Sequence, residues 1–146
     1  MQLRQSQIQN LRWAFFYPRL SLLPLSKIYS VCLVIHSPIE TTNFVLESGN
    51  LIDTPGPSGS GEKHTVKRCK ICSDQIFSHI HGNERIVVLK TSTLDDPNRF
   101  PPQAHIYTKS KLGWLELGGP IPQFLEYYDR EKIYPPEGLK RRKKVS

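Results

Sequence analysis

From Thr41 onward the chain reads as short β-prone runs separated by turn chemistry. Thr41 to Leu46 is one run, closed by Glu47-Ser48-Gly49-Asn50, and Leu51-Ile52 opens another. Thr54-Pro55-Gly56-Pro57-Ser58-Gly59-Ser60-Gly61 reads as a loop, because Pro lacks a backbone donor and Gly loses the most conformational freedom on ordering. Gln75 to Ile80 and Arg85 to Thr91 form an expected antiparallel hairpin through His81-Gly82-Asn83-Glu84. Ala104 to Thr108 and Trp114 to Leu117 are two further expected strands. Pro122 suits a first helical position. Gln123 to Arg130 then places Phe124, Tyr127 and Tyr128 at spacings of three and four, so a short terminal helix is expected there. Pro135-Pro136 should stop anything helical. The class is mainly β with one short late helix, and no internal repeat is visible.

The first 35 residues follow another pattern. They carry no acid, hold Arg4, Arg12 and Arg19, and cluster Trp13, Phe15, Phe16, Tyr17, Leu20, Leu22, Leu23 and Leu25 without a period of 3.6 or 2. That suits an organelle transit peptide or, slightly better, a replaced segment foreign to the ancestral domain. The chain then divides into an atypical segment 1–35, a domain 36–130 and a basic tail 131–146 expected to be flexible. No transmembrane helix is expected, since Arg19, Lys27, Pro18 and Pro24 break the apolar N-terminal region.

Charge changes the picture little once it is located. The net +7 comes from +4 in residues 1–30 and +4 in residues 131–146, which leaves the hundred residues between them at −1. A basic groove through the folded body is not indicated. The run Lys140-Arg141-Arg142-Lys143-Lys144 reads as a solvated tail ahead of a nuclear signal or nucleic-acid anchor. Three cysteines in 146 residues do not make a disulfide framework and suit a reducing compartment. The expected location is the cytoplasm, with nuclear or organellar targeting as alternatives.

Cys69-Lys70-Ile71-Cys72 is the one sharp local motif. Two thiolates three apart can grip a tetrahedral zinc from a turn, but a structural site needs four ligands, so the pair is half a site. A redox dithiol, helped by Lys67, Arg68 and Lys70, and ordinary part-buried thiols are the other readings. Of the five histidines, His79 and His81 would share a strand face and could add ligands. A solvent-facing pair beside a turn is the simpler reading. No nucleophile triad and no phosphate-cradling loop can be defended from spacing.

Ser58-Gly59-Ser60-Gly61, Cys69-x-x-Cys72, Ser92-Thr93-Leu94-Asp95-Asp96-Pro97, Phe100-Pro101-Pro102-Gln103-Ala104-His105-Ile106, Thr108-Lys109-Ser110-Lys111 and Trp114 follow one another over Thr41 to Tyr128. In that order they resemble the glutathione-dependent formaldehyde-activating enzyme family, which also contains centromere protein V. The resemblance implies a zinc-dependent carbon–sulfur lyase domain with a sandwich-like antiparallel fold, the β-tent. It implies two zinc sites: a structural one pairing an early Cys pair with C-x-x-C, here Cys69 and Cys72, and a catalytic one built on C-x-C-x-x-C. Glutathione would be the substrate thiol, joined to formaldehyde as S-hydroxymethylglutathione. Small thiol adducts are therefore the expected partners, with neither a membrane nor, by the charge distribution, nucleic acid. Oligomeric state is left open.

The chain departs from the family pattern where that chemistry should sit. Counting back from Thr42-Asn43 places Cys32 on the third catalytic cysteine and leaves Lys27 and Tyr29 on the first two. No Cys precedes position 32, so the early structural pair is missing as well. The expected metal ligands are Cys69, Cys72 and Cys32, in partial sites, and catalytic residues are left unassigned. The remaining matched residues read locally as scaffold: Thr93 to Pro97 as a strand end and turn, Trp114 as a core or groove aromatic, His105 as a satisfied strand histidine. A degenerate lyase is the first functional reading. A catalytically inactive binding or interaction domain is the second, and a basic-tailed chromatin partner the weakest.

Overall fold

The computed structural model describes residues 32–58 and 61–145, together with the backbone of Leu20–Leu22. Seven strands link edge to edge: β1 Leu20–Leu22, β2 Val34–Glu40, β3 Leu51–Pro55, β4 Thr65–Cys69, β5 Gln75–His79, β6 Ile86–Lys90 and β7 Ala104–Ile106, in the order β3-β4-β5-β6-β2-β1-β7. Every neighbouring pair is antiparallel except β1 with β7. The mainly β class is as expected.

The β5–β6 hairpin forms where apolar runs flank His81-Gly82, both in the left-handed region at φ 58° and 65°. Gly56 is required for another reason. A Cβ there would sit 2.5 Å from the His64 ring, while its N–H donates to the His64 carbonyl at 2.9 Å and helps close the β3–β4 connection. Strand β3 runs on through Thr54-Pro55, so the loop expected over 54–61 starts later. Pro55 lies on an edge strand, where its missing donor costs little.

Register sorts the core into two layers. His36 opposite Lys90, and Leu20 opposite both His36 and Ala104, put His36, Glu40, Ala104 and Ile106 on one face, with Ile39, Val87 and Leu89 on the other. One layer packs Ile39, Cys69, Phe77, Val87, Leu89, Leu94 and Phe100, with Phe44 and Leu51 at its margin. The other packs Ala104, Ile106, Tyr128 and Tyr134 against Phe124, Ile133 and Leu139. Each fully buried aliphatic, such as Ile39 or Leu89, contributes about 1.5–3 kcal/mol.

Four local expectations are corrected. Residues 123–129 are not helical. Gln123 bridges His105 in parallel, the His105 N–H donates to the Pro122 carbonyl at 2.9 Å, and the Phe124 N–H returns to the His105 carbonyl at 2.9 Å. The aromatic spacing serves an extended edge segment, whose Phe124 and Tyr128 rings lie 5.4 Å apart. The helices come later, α1 at Arg130–Ile133 and α2 at Pro136–Lys143. Asp129 caps α1 by accepting the Glu131 N–H, and Pro136 occupies the first turn of α2, so Pro135-Pro136 starts a helix rather than ending one. Thr41–Asn43 form a 3-10 turn after β2 in place of a strand. Trp114 to Leu117 are not a strand either.

The basic end carries the second helix. Glu137 in the first turn of α2 and Lys140 to Lys143 in its last match the helix dipole. Arg141 grips the buried Glu40 carboxylate with two nitrogens, Nε at 2.6 Å and Nη2, tying α2 to strand β2.

Candidate functional site

Strand β4 ends at Cys69, and the chain turns through Lys70, Ile71, Cys72 and Ser73 into β5. The Ser73 N–H donates to the Cys69 carbonyl and the Cys69 N–H to the Asp74 carbonyl, each at 2.9 Å, with Ser73 in the left-handed region at φ 61°. Arg68 braces the turn through Nη1 on the Ser73 carbonyl at 3.1 Å and Nε on Thr54 Oγ1 at 3.1 Å. Cys69 is buried in the core layer, whereas Cys72 is exposed and Ile71 is 95% exposed. The Cys69 sulfur takes hydrogen bonds from the Cys72 N–H, the Ile71 N–H and the Cys72 thiol, in that order of weight, and they hold its pKa below the usual thiol range. The two cysteines thus share one turn, Cys69 on its buried side and Cys72 on its exposed side.

Lys67 and Lys90, beside the turn, are committed elsewhere. Lys67 pairs with Asp53 at 2.7 Å and Lys90 with Asp74 at 2.6 Å. Asp74 also accepts the Gln75 N–H at 2.9 Å. The cation that faces outward on the turn itself is Lys70.

Cys32 does not join the pair. It lies half-buried just before β2, at the same end of the sheet as the turn, but β5 and β6 intervene between β4 and β2. Three inter-strand steps of about 4.8 Å separate the two positions by roughly 14 Å. Thiolates on one zinc lie roughly 3.8 Å apart, given Zn–S near 2.3 Å. Among the described residues no three His, Cys, Asp or Glu side chains gather as a metal-holding group. The remaining residues of the chain contain none of those four types.

The histidines divide by surroundings. His79 Nδ1 meets the Ile86 carbonyl at 2.9 Å, His64 Nδ1 meets the Pro57 carbonyl at 2.7 Å, and His81 pairs with Glu62 at the hairpin. His81 lies in the turn, outside the strand that holds His79, so the two do not share a strand face. His36 and His105 are buried at 4% exposure each, and neither ring nitrogen of either has a hydrogen-bond partner among the described residues. The expectation of a satisfied His105 is thereby corrected. Burial first, then the charges of His64 and Lys90, pushes the His36 pKa down to about 4, and burial lowers that of His105. His36 carried no sequence-based expectation. Its only signal was one imidazole inside the apolar run Val34-Ile35-His36.

Trp114 is 70% exposed, so it is not a core aromatic. Thr93 to Pro97 is the turn structure expected: Thr93 Oγ1 donates to the Lys90 carbonyl at 2.7 Å, and Leu94 is buried.

The family model for the glutathione-dependent formaldehyde-activating enzyme matches residues 27–110, more than half of the chain. The chain belongs to the glutathione-dependent formaldehyde-activating enzyme family. No curated protein matches it significantly. The matched stretch covers all strands from β2 to β7 and the cysteine turn, and it stops before Trp114 and the C-terminal helices. Membership points to a glutathione-related function. It also raises the question of zinc: Cys69 and Cys72 offer two thiols, and no third ligand joins them among the described residues, which therefore do not complete a zinc site. Lys27 and Tyr29, on the first two catalytic positions, lie outside the described residues. No helix among the described residues is long and apolar enough to cross a membrane.

Proposed function

We propose that this formaldehyde-activating-family domain binds glutathione or a related small thiol adduct, of the S-hydroxymethylglutathione type, on a carbon–sulfur lyase scaffold whose own lyase chemistry is degenerate. One observation carries the reading: Cys69 and Cys72 share the β4–β5 connection, whereas Cys32 precedes β2, with β5 and β6 lying between β4 and β2 in the sheet. Zinc lyase chemistry needs a metal held by three protein ligands with a position left open, and the reading is supported by there being no such group of His, Cys, Asp or Glu among the described residues. The retained sheet and turns support ligand binding without supporting turnover. The cytoplasm is the compartment proposed, since free thiols persist where glutathione keeps them reduced.

Calorimetric titration of the full chain with glutathione, and with glutathione pre-equilibrated with formaldehyde, tests this. Saturable binding of either is expected. Absence of heat from both would remove the glutathione reading and leave the second one, an interaction domain without a thiol ligand. The side chains favouring that second reading are Trp114 and Leu125, 70% and 71% exposed.

A further inference from the structure

We propose that the hollow between segment 127–131 and helix α2 binds the phosphate group of a small, soluble phosphate monoester. The hollow has a volume of about 510 Å³, within the roughly 300–1,000 Å³ of small-molecule sites. It is built from residues beyond the stretch 27–110 that the family model matches. Two buried donors on its wall carry the inference. Tyr128 is 5% exposed, with the Tyr127 and Tyr134 rings 4.7 and 6.0 Å away, yet its hydroxyl makes no hydrogen bond of normal geometry among the described residues. Burial first, and then Tyr127 and Tyr134, raise its pKa, so the hydroxyl keeps its proton and stays a donor. Arg130 brings a second buried donor, an Nε without a hydrogen-bond partner among the described residues, on a guanidinium held 5.2 Å over the Tyr127 ring. Each unmet donor destabilises the fold, and an oxyanion in the hollow would satisfy both.

Charge selects among acceptors. Arg130, Arg142 and Lys143 line the hollow against Asp129 and Glu131. Asp129 is already engaged, accepting the Glu131 N–H at 3.0 Å and pairing with Lys132 at 3.7 Å, while Glu131 is exposed and can turn to solvent. A carboxylate ligand would match one cation. A phosphate monoester brings close to two negative charges and three acceptor oxygens, enough for the edge of the Arg130 guanidinium, the Tyr128 hydroxyl and a further cation together. Leu139 and Tyr127 supply apolar wall, and the hollow is larger than a bare phosphate, so the organic part of the ligand has a place. The cations are also held in position. Arg141, between Lys140 and Arg142, is turned onto Glu40 and anchors α2, so less order is lost when Arg142 and Lys143 meet an anion.

The test uses the full chain in phosphate-free buffer at fixed ionic strength, titrated with phenyl phosphate while backbone amide resonances are followed. Saturable shifts centred on residues 127–131 and 139–143 are expected, inorganic phosphate should compete for them, and benzoate should bind at least about tenfold more weakly. Arg130→Gln should weaken phenyl phosphate by about tenfold or more, the loss of one charge-assisted contact. Tyr128→Phe should weaken it about threefold or more while the melting temperature stays level or rises, because the hydroxyl removed has no partner of its own. Lys70→Gln, on the β4–β5 turn, should change neither. No saturable shifts, shifts centred elsewhere, benzoate binding as tightly as phenyl phosphate, or binding only to vesicles containing phosphatidic acid or to an oligonucleotide would each overturn the proposal. So would an affinity indifferent to Arg130→Gln and Tyr128→Phe, or a lower melting temperature in Tyr128→Phe.

Discussion

The cysteine turn and strand β2 each hold a titrating group whose pKa is shifted downward, for opposite reasons. At the turn, donors from the Cys72 and Ile71 backbone and the Cys72 thiol favour the charged form of Cys69, so the shift makes a thiolate easier to reach. On β2, burial disfavours the charged form of His36, so the shift keeps an imidazole neutral and leaves it without partners. The first is an arrangement that can engage a ligand. The second is a standing cost to the fold. Four residues along the same strand, Glu40 is equally buried but held by Arg141, which shows what His36 lacks.

Breaking the Glu40–Arg141 pair should have the largest effect. Arg141→Ala leaves a buried carboxylate uncompensated, and about 3 kcal/mol of unfolding free energy should be lost in denaturant titrations at neutral pH. Adding Glu40→Gln should restore part of it. A loss below about 0.5 kcal/mol would mean that α2 does not hold β2 in solution.

The next test sharpens the histidine side. Unfolded His36 takes a proton near pH 6.5 and the folded one only near pH 4, so folding excludes a proton between those values. Its stabilising share is present above pH 6.5 and is lost as pH falls toward 4, amounting to about 2–3 kcal/mol by pH 4.5. His105 adds to the loss in the same direction. Denaturant midpoints from pH 7.5 to 4.5 should show this decline, and His36→Leu should flatten it. An equally steep decline in the variant would remove His36 as its cause.

Smallest in stability, though not in chemistry, is Cys72→Ala. An exposed position should shift stability by less than about 0.5 kcal/mol. Thiolate absorbance against pH should nonetheless show Cys69 ionising at higher pH in Cys72→Ala, where the side-chain donor is removed while the backbone donors remain. A large stability loss with no change in ionisation would reverse the contrast between turn and strand.

What could be read from the chain follows the range of the interactions involved. The β5–β6 hairpin was legible because Ile76-Phe77 and Ile86 to Leu89 flank a tight left-handed turn, all local signals. Strand β2 was not, since Pro38 interrupts it and its pairing with β6 joins residues some fifty positions apart. Strand β4 carries Lys67 and Arg68, whose partners Asp53 and Thr54 come from β3, so its β character rests on neighbours. The aromatic spacing over 124–128 fits a helix as well as an extended edge, and only β7 decides between them. At the candidate site the C-x-x-C spacing was enough to put Cys69 and Cys72 on one turn between β4 and β5. The distance to Cys32 depends on sheet order, which no local pattern encodes.

We propose that this family member keeps the scaffold without a complete catalytic ligand set. Its most direct test is the rate of S-hydroxymethylglutathione formation from glutathione and formaldehyde, with the full chain and excess zinc, against the spontaneous reaction. A rate indistinguishable from the spontaneous one, with no change on Cys32→Ser, is expected. A zinc-dependent acceleration of about tenfold or more, equivalent to about 1.4 kcal/mol of transition-state stabilisation, that Cys32→Ser abolishes would contradict it.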